Sequence, residues 1–165
     1  MSLTKEITDK KVNFEFNKEF INVFSKKIKD NDTEFLNKTL KELHPADSAD
    51  IIENLVPENR SKLIELVGFN LDPEIFIEFN ESIQTEVFIL LSTESIANIL
   101  KLLESDNALK IIENLDDKKK NIVLDKLPPK DRFLLQEGLS YPEDSAARIM
   151  QREFAAIPSD WSVGQ

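Results

Sequence analysis

A twelve-residue recurrence of apolar positions runs from Ile51 to Leu139. Stepping by twelve from Leu55 gives Val67, Phe79, Leu91, Leu103, Leu115, Leu127 and Leu139, and all are apolar. Three residues before each step stand Ile52, Ile64, Phe76, Phe88, Leu100, Ile112, Leu124 and Gln136. Four before stand Ile51, Leu63, Ile75, Val87, Ile99, Ile111, Val123 and Leu135. Gln136 alone breaks the pattern, in a chain that is 41% hydrophobic. In a helix, residues k−4, k−3 and k lie on one stripe, whereas a strand would send k−4 and k−3 to opposite faces. Twelve residues advance a helix by about three and a third turns, so an unbroken helix would rotate its stripe about a third of a turn per repeat. No single neighbour could cover that stripe, so the chain must break between repeats.

Breakers stand where the argument needs them. Pro57 follows Leu55, and Gly68 and Pro73 follow Val67. Asn80-Glu81-Ser82 follows Phe79, Ser92-Thr93 follows Leu91, and Ser105-Asp106 follows Leu103. Asp116-Asp117 and Pro128-Pro129 punctuate the last steps. Each set supplies an N-cap side chain or an N1 proline for the next helix. The spacing predicts helices of about eight to ten residues, each too short to persist alone in water. Stacked, each stripe covers the next, which is the logic of a solenoid. The repetition of Ile51-Ile52-Glu53-Asn54-Leu55 as Ile111-Ile112-Glu113-Asn114-Leu115 supports the same reading.

The ends differ. Residues 12–29 predict a longer amphipathic helix with Phe16, Phe20, Val23, Phe24 and Ile28 on its apolar side. Asp32 is expected to cap a second helix running to Leu43, and these two helices to close the N-terminal end of the stack. Residues 1–11 are expected to be disordered or tag-derived. Tyr141-Pro142 ends the last repeat, and a short helix is expected over Ser145–Met150. Phe154 to Pro158 reads as extended, and Trp161 to Gly164 as the opening of another helix. The expected fold is thus all-α: a superhelix of about ten short helices with a short extended tail. Residues 1–140 form the helical domain, and 141–165 a linker into the beginning of a second one.

The totals narrow the function. A chain of 165 residues supports a core without covalent staples, and it has no cysteine for a disulfide or a thiolate nucleophile. The apolar runs are too short to span a bilayer. With 31 acidic against 21 basic residues the net charge is −10, which argues against nucleic acid and anionic membrane surfaces. It suits a basic partner or divalent cations. One histidine and three glycines leave no histidine cluster or glycine-rich phosphate loop, and no enzyme activity is expected. His44 reads as a structural residue that caps the next helix or bonds a loop carbonyl, with a general base or metal ligand as the competing role. Lys118-Lys119-Lys120 reads as a solvated helix face. Carboxylates are the plentiful chemistry. Asp47, Asp72, Glu74, Asp106, Asp116 and Asp117 lie at or near helix starts, where capping and the helix dipole favour them without any metal.

Three stretches carry a resemblance: Leu43-His44-Pro45-Ala46-Asp47-Ser48-Ala49-Asp50, Leu103-Glu104-Ser105-Asp106-Asn107-Ala108, and Ser140-Tyr141-Pro142-Glu143-Asp144-Ser145-Ala146-Ala147-Arg148-Ile149-Met150. Over about residues 32–165 the chain resembles the cytosolic N-terminal domain of MgtE-type magnesium transporters. Phe154 to Pro158 and Trp161 to Val163 resemble the start of the CBS domain that follows it. The resemblance implies a right-handed superhelix that precedes a CBS pair and a transmembrane pore, at the cytoplasmic face of the membrane, in a homodimeric full-length protein. It also implies a role: Mg²⁺ bridges acidic residues of the N and CBS domains and favours the closed pore. Glu74 and Asp106 match the positions from which the family's N domain faces the ions. Three positions depart from the family pattern: Asn107 replaces a second aspartate, Lys110 stands where a further acidic ligand can occur, and Ala147 replaces a glycine. The competing reading is an acidic α-solenoid scaffold without metal sensing, similar to the short-helix modules of flagellar rotor proteins.

Overall fold

The computed structural model describes residues 18–151, which fold into helices without a strand among them. They divide between Leu71 and Asp72 into two compact units. The first holds α1 (Lys18–Lys29), α2 (Thr33–Glu42), α3 (Pro45–Glu53) and α4 (Pro57–Val67), followed by a 3-10 turn over Gly68–Asn70. The second holds α5 (Pro73–Glu78), α6 (Glu81–Leu90), α7 (Thr93–Leu100), α8 (Ser105–Glu113), α9 (Asp117–Lys126), α10 (Pro129–Ser140) and α11 (Ala146–Ile149). The expected disorder or tag origin of residues 1–11, the start of the long helix over 12–17, the extended run at 154–158 and the helix opening at Trp161 all lie outside the described residues.

In the first unit, α1 buries Phe24 and Ile28, with Phe20 stacked on Phe24 at 6.0 Å between ring centroids. Val23, expected on the apolar side, is exposed. Phe20, Phe24 and Ile28 are four residues apart, so the stripe drifts forward along the helix and leaves Val23 at its trailing edge. Asn31 reverses the chain at φ 56°, the left-handed region that asparagine tolerates. Asp32 then caps α2 by accepting the Phe35 N–H, while Lys27 Nζ donates to its other oxygen at 2.7 Å. Helices α1, α2 and α4 pack on one another.

In the second unit the packing skips one helix at a time: α7 on α9, and α8 on α10, with α5 also against α8. Of the 24 positions in the twelve-residue pattern, all but Leu103, Gln136 and Leu139 are buried. The k−4 and k−3 residues lie within the helices. The k residue does not always do so. Phe79, Leu91 and Leu127 stand just past their helices with extended backbone, and drop a last apolar side chain into the core as the chain turns. Within the repeats, helix length also varies more than the spacing suggests, from six residues in α5 to twelve in α10. Pro73 fixes the start of α5 and the extended Phe79 ends it before Asn80 caps α6.

Candidate acidic helix-start site

Most polar residues at the helix starts are occupied by capping. Asp72 Oδ1 accepts from the Glu74 N–H at 3.0 Å, Asn80 Oδ1 from Ile83 at 3.1 Å, and Asp116 Oδ1 from Lys119 at 2.9 Å. Ser92 Oγ accepts from Ser95 N–H at 3.1 Å. His44 belongs to this set: its Nδ1 accepts from the Ala46 N–H at 3.3 Å, and Pro45 opens the helix behind it. Each satisfies one of the free amides of a helix's first turn.

Helix α8 is different. Its N-cap is Glu104, which makes no side-chain cap, and Ser105, expected to cap, is instead the buried first residue of the helix. Asp106 follows at the second position. Its Oδ1 is sealed from solvent and accepts no hydrogen bond. A buried acceptor without a donor is costly, and among the aspartates at helix starts this oxygen is set apart from those that cap. Glu74 occupies the equivalent second position of α5, is exposed, and rides on a helix that packs against α8. The fold therefore brings together the two helices that carry both predicted residues.

The departures at 107 and 110 also meet. Lys110 Nζ approaches Asn107 Oδ1 at 3.5 Å, one helical turn apart, so the lysine leans on the neutral amide that stands in the aspartate's place. No group of three or more carboxylate or histidine ligands occurs among the described residues. That is compatible with Mg²⁺, which usually keeps several waters and takes one or two carboxylates. Asp106 is half-buried with Oδ1 enclosed, so a hard cation held there would meet its other carboxylate oxygen, one of the one or two carboxylates such an ion takes. Elsewhere the lysine run is less uniform than expected. Lys118 is exposed, but Lys119 Nζ reaches back to the Phe88 carbonyl at 2.5 Å, and Lys120 lies 3.9 Å from Asp117. The terminal carbonyls of α6 lack helical partners, which draws in a long ammonium from α9.

Sequence reasoning missed a set of polar residues one step deeper. Ser48 Oγ donates to the Leu40 carbonyl, Arg60 Nη1 to Ile52, and Gln84 Nε2 to Phe76, each eight residues back. Asn114 Nδ2 in turn donates to Gln84 Oε1 at 2.7 Å. Positions 48, 60 and 84 keep the twelve-residue spacing. The signal was present in the sequence, but serine, arginine and glutamine read as surface residues until their burial is seen.

A stack of short helices with carboxylates gathered at helix starts defines a class of acidic helical array. Residues 43–144 match the family described as the MgtE intracellular N domain, well over half the chain, and the chain belongs to that family. Its fold is similar to that of a protein described as the soluble part of a magnesium transporter, solved by crystallography. The TM-score is 0.70 at 19% identity, covering 83% of this chain and 54% of that one. The chain thus spans about half the length of that solved protein. No curated protein matches it. Among the described residues no helix is long and apolar enough to cross a membrane.

Proposed function

We propose that this chain is the cytosolic Mg²⁺-responsive domain of a magnesium transporter. Asp106 and Glu74 supply its share of ion sites completed by a CBS domain of the same protein. The observation that carries the reading is that the helix bearing Asp106 packs against the one bearing Glu74, in a chain of this family. When Mg²⁺ is abundant, ions bridge the acidic faces of the two domains and favour the closed pore. When it falls, like charges repel and the domains part. This is a population shift by an ion that binds one state better than the other. The net charge of −10 supplies the repulsion that the cation must neutralise. The partners are then the CBS and pore domains of the same polypeptide, in a homodimer at the cytoplasmic face of the membrane.

The test is amide hydrogen exchange on the full-length protein. Millimolar Mg²⁺ is expected to slow exchange in the first turn of α8 by about tenfold, as occupancy of the closed state rises. Asp106→Ala is expected to abolish that protection. Equal exchange with and without Mg²⁺ would leave the acidic array as a scaffold without ion sensing.

A further inference from the structure

Helix α11 has four residues, and Arg148 is its buried residue. Ile149 and Met150 beside it are exposed, at 69% and 50%. A helix this short cannot hold itself, and apolar burial does not hold it either. Arg148, only 8% exposed, ties it to the preceding helices. Arg148 Nη1 donates to the Gly138 and Tyr141 carbonyls at 3.0 Å each, at the C-terminal end of α10. Its Nε donates to the carboxylate of Glu113, the last residue of α8 and 35 positions back. One side chain thus fastens three elements. Arg60 and Arg132 likewise donate to carbonyls at a preceding helix end, but Arg148 adds a charged partner on a helix distant in sequence. The Glu113 side chain is one-third exposed, so water and ions reach the outer side of the pair. A buried arginine that loses its carboxylate becomes an uncompensated charge and is driven towards solvent. The fastening is therefore releasable.

We propose that Arg148 is a polar latch: a positioning residue that fastens residues 141–150 to the ends of α8 and α10. The same helix carries Asp106 at its opposite end. On the ion-sensing reading above, on which this second point rests, α8 links ion occupancy to the fastening of residues 141–150.

Tryptic cleavage after Arg148 in the full-length protein tests the latch, because cleavage requires the buried guanidinium to come free. Glu113→Gln is expected to speed cleavage at this bond by about tenfold, with other tryptic sites unchanged. Glu113→Asp, which keeps the charge, is expected to restore part of the protection. Should Glu113→Gln fail to fold, Arg148→Lys serves instead: it leaves a basic residue for trypsin but cannot span two carbonyls and a carboxylate, and it too is expected to cleave faster. Cleavage at the wild-type rate in these variants overturns the latch. If Mg²⁺ slows cleavage at Arg148 in the wild type and not in Glu113→Gln, the link through α8 is supported. Equal slowing in both overturns the link. If Mg²⁺ affects neither while Glu113→Gln is cleaved faster, the latch stands and the link through α8 fails, the ion-sensing reading being decided by the exchange experiment above.

Discussion

Single residues in this chain settle their roles by what their polar atoms lack. Asp72 and Asp116 spend an oxygen on a helix cap, while Asp106 keeps a buried oxygen without a donor. Glu94 shows the ordinary alternative. Its carboxylate accepts from Lys126 Nζ at 2.6 Å, and that hydrogen bond and charge hold it below the usual glutamate range. A lowered folded-state value means that the pair stabilises the fold at neutral pH, and that this contribution is lost as pH falls through the folded value. Glu94→Gln is expected to flatten the loss of stability as pH falls below the ordinary glutamate range, read from urea midpoints on the acid side. At a neutral cap, Ser92→Ala is expected to cost about 1 kcal/mol, read from the same midpoints at pH 7. Residue-scale chemistry was the least legible in the sequence. Aspartate is favoured at every helix start, so nothing in its identity separates a cap from a stranded acceptor. The contact between Asn107 and Lys110 was visible only as two separate departures from the family pattern.

At the scale of elements the sequence was far more explicit. The k−4 and k−3 positions face inward because the helix period brings them to one side, and nearly all are buried. The breakers fall where helices begin, and Ser105 opens α8 as its first residue while the N-cap falls to Glu104. What the periodicity could not reveal is the polar half of the repeat. Gln84 joins the ends of α5 and α8, through the Phe76 carbonyl and Asn114, from a position that reads as surface. Gln84→Ala is expected to destabilise the protein by about 1–3 kcal/mol in denaturant unfolding, because it leaves a buried carbonyl unpaired. Phe76, fully buried with Phe79 at 5.9 Å and Phe88 at 5.8 Å, is the aromatic centre of the same region. Phe76→Ala is expected to cost about 3–5 kcal/mol by the same measure. If Gln84→Ala were neutral, the buried polar ladder would be ornament, and the apolar stripe alone would hold the array.

For the whole molecule, short helices that cannot stand alone make a scaffold whose value lies in what it presents. The net charge of −10 and the carboxylates at helix starts present an acidic surface, in a chain of the MgtE intracellular N domain family. On the function proposed above, Asp106 and Glu74 hold Mg²⁺ together with the rest of the polypeptide. Thermal unfolding of the full-length protein against Mg²⁺ tests it most directly. At ten times the dissociation constant the ion should add about 1.4 kcal/mol, a shift of a few degrees in Tm. Millimolar Mg²⁺ is expected to raise Tm in the wild type, and Asp106→Ala combined with Glu74→Ala to remove most of the rise. A wild-type Tm unmoved by Mg²⁺, or an equal rise in the double variant, would contradict that function.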